Sequence, residues 1–425
     1  MTRRNGLFAL LLCLPLVFLF ARGNFNEVGL DRVEIAGVAH FTHDSDTYFI
    51  VSEINDLGRF ITAPNAWRGR PLHIFASAGL ASMLSPVAAI VRAPLRGHIV
   101  GSPAGNVMRK LPVYVGLTAF NFAVLAITLA LALQLTGGPD RLLAFALGAA
   151  IATSDLVHGL FWTQHSNVMN ILVPIGCIFY AVLGCRAREM NRRKLAVAGL
   201  GTGAAVLAYP YAVIWLPAFA LGVLYRDLRM SVPAADLARN LLRTLSPFTL
   251  TALGPHLAWV AASAALQVPT YYEADAFRQF VWLLDAWRAD DLADTLREKW
   301  HAFFPAVLVW IGWPGLAALA AATVLLASRT ARSSLATSPA PSPATWIGDP
   351  ILLAVLVTVL GMLSFNFLQG FYVPRLVSGI ALALFVALAR SAEISGRERL
   401  GACALLALSA GQIVDAFMRP PISYP

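Results

Sequence analysis

The stretch AGLGTGAAVLAYPYAVIWLPAFALGVLYRDLR, residues 198–229, decides how the chain is read. It lies in an apolar run, 195–225, that is long enough for one helix. Basic residues close the run at both ends: Arg186, Arg188, Arg192, Arg193 and Lys194 before it, and Arg226, Arg229, Arg239 and Arg243 after it. Short basic connections collect on the cytoplasmic side of a membrane, so both ends belong on one side. Pro210 sits mid-run, where it lacks a helical N–H and clashes with the preceding turn. The stretch therefore reads as a hairpin of two short helices, 195–208 and 211–225. Each would reach about 21 Å, short of a hydrocarbon core of roughly 30 Å. Helices that stop short of the outer face leave room for a cavity there.

The rest of the chain fits this reading. Of 425 residues, 58% are hydrophobic and 13% charged, and the mean hydropathy is +0.67, which excludes an ordinary soluble domain. The fold expected is all-α, a polytopic transmembrane helical bundle forming a single domain. Spans are expected near 6–21, 111–135, 142–157, 168–185, 195–208, 211–225, 245–265, 303–327, 350–368, 373–389 and 400–416, about eleven in all. The net charge of +9 falls largely in short connections, where it sets orientation and gives no reason to expect a nucleic-acid partner. The basic-headed start MTRRNGLFALLLCLPLVFLFARG reads as an uncleaved first span with its N-terminus cytoplasmic, because FARGNFN offers no small-residue cleavage site.

With that orientation, 23–110 and 266–302 are long extracytoplasmic segments, and 329–349 is a Pro/Ser/Ala-rich cytoplasmic linker. The apolar segment 72–91 is expected as a re-entrant or surface-lying helix, since a further span there would turn the 186–194 cluster outward. Four cysteines, Cys13, Cys177, Cys185 and Cys403, lie within or at the ends of apolar segments and form no zinc or disulfide pattern.

Chemistry concentrates in the first outer segment. In HFTHDSDTYFIVSEINDLGRF, residues 40–60, Asp44 or Ser45 suits a helix N-cap, and an amphipathic helix is expected from there to Gly58. Asp44 and Asp46 act together only if Asp44 lies just before the first turn; otherwise they cap the helix and favour its dipole. Arg68, Arg70 and His73 follow in NAWRGRPLHIF. A guanidinium presents a planar fork to phosphate oxygens, and a carboxylate accepts a proton from an attacking hydroxyl. The alternative is that both arginines snorkel to lipid headgroups.

The basic-headed first span, HDSDTY in the first outer loop, RGRPLHIF, the Pro-centred helix pair and the late GFYVPRLVSGIALAL together resemble the GT-C superfamily of integral-membrane glycosyltransferases, in that order along most of the chain. The resemblance implies a sugar donor carried on a polyprenyl phosphate, a glycan, lipid or protein acceptor, and contact with membrane lipids. It implies a site on the extracytoplasmic face of a bacterial inner (plasma) membrane. It makes Asp44, with Asp46 second, the catalytic base or part of a metal site, and Arg70 and Arg375 the residues that hold the donor phosphate. Tyr209 stands where related sequences often carry Arg before the Pro. A magnesium or manganese ion on Asp44 and Asp46 would need more oxygen ligands than the motif supplies.

Two further groups are candidates for substrate binding. Asp155 and His158, three apart in TSDLVHGLFWTQHSN, share a helical face; a cap or a hydrogen bond to Trp162 serves Asp155 equally well. Tyr271 and Tyr272 suit stacking on a sugar, or anchoring at the membrane interface. Rival functions are an O-antigen-type polymerase or ligase, expected to use Arg and His in a late outer loop, and a lipid or solute transporter (flippase). A transporter should carry polar residues near mid-span, and this chain offers few, among them Asn121, His256, Asn366 and, nearer an end, Asp415.

Overall fold

The computed structural model describes residues 31–35, 39–43, 45–100, 104–136, 140–161, 163, 165–269, 280–335, 348–370 and 374–418, with single positions at Leu7 and Leu11. The expected first span, Asp44, Tyr271 and Tyr272 lie outside these residues or nearly so. The protein is a multi-pass helical bundle. Six helices are long and apolar enough to cross a membrane, or eight if each of two bent pairs forms one span.

The Pro210 hairpin is present, with longer arms than expected. Asn191 caps the first arm, its side chain accepting from Lys194 N, so Arg192–Ala208 begins inside the basic cluster. Tyr209 is extended, Pro210 opens a 3-10 turn to Ile214, and Trp215–Arg229 continues it. Seventeen residues reach about 25 Å, and the 20 residues from Pro210 to Arg229 about 30 Å. The arms were underestimated because arginines occupy the first turn of one and the last turn of the other. The arms pack on different neighbours: the first on Ala234–Ala265, the second on Met169–Cys185. In GLGTG, Gly199 and Gly203 lie four residues apart on one face. A Cβ at Gly199 would run into Phe248 and Thr251, and one at Gly203 into Ala252 and Pro255. Small residues at this spacing let two backbones approach, which is how helices associate when lipid removes the hydrophobic incentive.

The segment expected to run across 72–91 is two helices, Pro71–Met83 and Ser85–Leu95, bent by 71°. The first buries His73, Ile74, Ser77, Ala78 and Ala81 and packs on Leu111–Leu135. The second buries only Ala88 and leaves Val87 and Ile90 exposed. Arg141–Ala152 and Asp155–Phe161 form the other bent pair, at 54°. Its break is pinned by the last helix, where Ser409 Oγ pairs with Thr153 Oγ1 at 3.0 Å and Gln412 Nε2 donates to Ala150 O at 3.2 Å.

Three expectations are corrected in detail. A small antiparallel sheet, in the order Ala39–His43, Asp31–Ile35, Ile99–Val100, joins the otherwise helical fold. The helix after residue 44 is broken: Ser45–Asn55 stops, Asp56 caps Leu57–Thr62, and Gly58 lies inside the second helix. The first seven residues of the expected linker 329–349 belong to helix Leu292–Leu335, which is kinked at Gly312.

Gly379–Ser395 is the central helix, buried along most of its length. Exposed Leu250, Leu257, Val309, Val324, Leu360 and Val414 ring the bundle, a surface suited to lipid and not to water. The polar connections gather at two opposite poles. At one, Trp282 Nε1 donates to Leu368 O at 2.8 Å and Arg68 reaches Ser263. At the other, Arg229 donates to Gly348 O at 2.7 Å and Arg390 bonds both Asp349 and Glu393 at 2.7 Å.

Candidate functional site

The first pole is built around Asn65–Pro71. Asn65 caps a 3-10 turn, Ala66–Gly69, by accepting from Trp67 N. Arg70 then leads into Pro71 at the first position of the next helix, where proline suits the helical start.

Arg68 and Arg70 point to different tasks. Arg68 is fully buried. Its Nη1 donates to Phe60 O at 3.0 Å and to Ile61 O, and Nη2 donates to Ser263 Oγ at 2.7 Å. Those carbonyls end helix Leu57–Thr62 and have no helical N–H to accept from, so the guanidinium completes that helix. It also lies 5.2 Å over the Trp259 ring, whose N–H donates to Arg68 O at 2.8 Å. Burial draws its pKa below the usual arginine range. Arg68 is a clasp between helix Leu57–Thr62 and Ala234–Ala265.

Arg70, 6% exposed, is set at a junction of three elements. Its Nη1 donates to Ser166 Oγ at 2.7 Å. Its guanidinium lies 5.1 Å from the Trp67 ring and 5.2 Å from that of Tyr209, so two π faces support the charge. Tyr209 in turn accepts from Asn170 Nδ2 at 3.1 Å. Tyr209, the residue before Pro210, thus stacks on Arg70. Neither arginine snorkels to headgroups.

His73 is fully buried one turn into the same helix. Its ring meets Phe120 edge-on at 5.0 Å, and neither nitrogen has a hydrogen-bond partner among the described residues. His165, which the sequence left isolated, packs edge-on against Trp67 at 4.9 Å. Its Nδ1 accepts from Asn167 N at 2.9 Å, so the neutral ring carries its proton on Nε2. Asn167 and Asn170 are buried, each with a side-chain oxygen lacking a described partner. Buried polar atoms without partners cost about 1–3 kcal/mol each, and several meet here.

Two mid-span amides extend the cluster. Asn121 Nδ2 donates to Phe161 O at 2.8 Å and Thr163 O at 2.7 Å, and Asn366 Nδ2 donates to Tyr211 Oη at 3.1 Å. Tyr211 meets Tyr209 edge-on at 6.4 Å. The backbone at Gly379 comes close enough to Asn170 O for a Cβ there to lie 3.3 Å from it. Helix Pro374–Val377, which carries Arg375, ends just before this approach. Compared with known protein families, curated proteins and solved structures, the chain matches none.

Of the remaining expected residues, Asp44 lies outside the described residues, between strand Ala39–His43 and helix Ser45–Asn55. Asp46 is in the first turn of that helix. Glu53, two turns further on, was not anticipated: it is buried, and Oε2 has no described partner. Burial raises its pKa, against a smaller lowering by Arg59. Asp155 opens helix Asp155–Phe161 and His158 is buried within it. Tyr271 and Tyr272 lie outside the described residues. Among the described residues, no group of three His, Cys, Asp or Glu side chains is placed to hold a metal.

Proposed function

We propose that the protein is an inverting membrane glycosyltransferase that moves a sugar from a polyprenyl-phosphate donor to a hydroxyl acceptor at the extracytoplasmic face. The observation that carries the reading is Arg70, held between Trp67 and Tyr209 and bonded to Ser166 beside buried amides whose oxygens have no partner among the described residues. Such a centre is rigid and cationic and offers polar groups of both kinds, as a sugar phosphate requires.

Asp44 takes the proton from the acceptor hydroxyl. The freed oxygen forms a bond to the anomeric carbon as the bond from that carbon to the phosphate oxygen breaks. The electron pair leaves with polyprenyl phosphate, whose charge Arg70 and Arg375 hold. Stabilising that charge in a site already organised for it supplies much of the rate. Asn167, Asn170 and His73 bond the sugar hydroxyls, while Arg68 fastens the loop that carries Arg70. The orientation belongs to this proposal: eleven spans, the N-terminus and the arginine-rich pole cytoplasmic in a bacterial inner membrane, the Arg70 pole outside, and Pro71–Leu95 re-entrant. The separation of connections to two poles supports it.

The test is transfer of radiolabelled sugar from a panel of polyprenyl-phosphate sugars by the purified protein in nanodiscs. Arg70→Gln should abolish donor binding with the fold retained. If no donor is bound or turned over, or if Arg70→Gln binds as wild type does, the reading fails.

A further inference from the structure

At the opposite pole a cavity of about 350 Å³ opens between three helix ends and the side of a fourth helix. Its walls come from the turn after Met169–Cys185, the first turn of Arg192–Ala208, the last turn of Trp215–Arg229, and Asn240 to Thr244 of the following helix. Four arginines, Arg188, Arg192, Arg226 and Arg243, line it against one carboxylate, Asp227. Exposed arginines alone would be ordinary at a cytoplasmic membrane face.

Arg226 is different. It is 9% exposed and Asp227 2% exposed; Arg226 Nε donates to Asp227 Oδ1 at 2.6 Å, and Nη2 forms an ion pair with the same oxygen at 2.6 Å. Among the described residues, Arg226 Nη1 and Asp227 Oδ2 have no hydrogen-bond partner, so the pair leaves one donor atom and one acceptor atom unspent there. A buried ion pair is tolerated only when its remaining protons and lone pairs are satisfied. One ligand meets both demands if it brings a phosphate oxygen to Nη1 and a hydroxyl to Oδ2. The surplus of three arginines over the carboxylate favours that phosphate, and arginine forks suit its geometry.

We infer that this cavity binds a phosphate ester that carries a free hydroxyl, either the headgroup of phosphatidylglycerol or a soluble glycerol phosphate. The inference is independent of the transferase reading, since it uses no residue of the Arg70 pole.

The experiment uses the full chain in phosphatidylcholine nanodiscs. One arm adds phosphatidylglycerol and counts retained lipid by native mass spectrometry; the other titrates glycerol 3-phosphate and follows binding by calorimetry. Wild type should bind at least one of the two. The exposed pair Arg188→Gln and Arg243→Gln should weaken binding by about tenfold or more without altering thermal unfolding. Asp227→Asn should erase the preference for phosphatidylglycerol over a phosphate headgroup lacking the hydroxyl. Retention of the lipid alone supports the headgroup, and binding in the soluble arm supports the free ester. The inference is overturned if wild type binds neither above the phosphatidylcholine background, or if the folded double variant binds as tightly as wild type. Arg226→Gln is informative only alongside that variant, since it also strands Asp227.

Discussion

Arg70 and Arg390 occupy opposite poles of one bundle and are held by opposite means. Arg390 is bonded to two carboxylates, Asp349 at 2.7 Å and Glu393 at 2.7 Å, which tie the start of helix Pro350–Gln369 to the end of Gly379–Ser395. Arg70 is bonded to a hydroxyl and stacked on two rings. Carboxylates neutralise a guanidinium and use up its fork. A hydroxyl and π faces fix the position of a guanidinium and its plane. The contacts described for the two differ, an ion-pair tie between helices against a stacked junction, although both read in the sequence as basic residues near apolar runs.

The comparison breaks or sharpens at defined places. The largest effect is expected from Asp44→Asn, which removes the proposed base. Turnover should fall by about 10²–10⁴-fold with donor binding preserved, measured as single-turnover transfer beside a lipid-binding assay. Unchanged turnover would leave residue 44 a helix cap. Next, Arg390→Ala strands two largely buried carboxylates and should cost about 3 kcal/mol, seen as a lower unfolding midpoint in nanodiscs; activity per folded molecule should persist. A loss of transfer without a loss of stability would undo the division of labour between the poles.

Arg70→Lys keeps the charge but gives up the fork and the stacking. Donor affinity should drop by about tenfold to a hundredfold, with little change in unfolding; equal affinity would mean a point charge suffices there. Gly370→Ala should destabilise by about 1–2 kcal/mol, because Gly370 has φ of 73° and a Cβ would meet the Trp282 ring at 2.5 Å. This closes the same pole through the loop after Pro350–Gln369.

The smallest effect concerns Glu53. Burial raises its carboxyl above the ordinary 4.5, so the folded chain holds the proton more firmly than the unfolded one. That stabilisation is full below the ordinary value and is lost as pH rises through the folded one. Glu53→Gln should therefore gain stability over wild type as pH rises across this window. Parallel stability profiles for the two proteins would show that the carboxyl is solvated.

The sequence made the poles legible because orientation is a matter of where charges and apolar runs alternate. Arg186–Lys194, Arg226–Arg243 and Arg390–Arg399 were readable as one side, and their segments do gather at one pole. Pro210 was readable as a break because proline's missing donor is a local fact. The candidate site was legible only in part. Arg70 and His73 stood out as polar residues beside a membrane segment, but Arg68, two residues away, carries the same signal and serves as a clasp. Asn121 and Asn366 were noticed as mid-span amides without a reason to join them to Arg70.

What lay in the amino-acid order was the number and spacing of apolar runs, the breaks at proline, and the side on which arginine collects. All of these follow from the cost of putting charge or open backbone into hydrocarbon. What required the folded chain was the pairing of Arg70 with Tyr209 and Ser166, of Arg68 with Ser263, and of Arg226 with a cavity. Those partners are separated along the chain by 139, 96 and 195 residues where they are remote, and packing between helices, invisible to local pattern, brings them within a few ångströms.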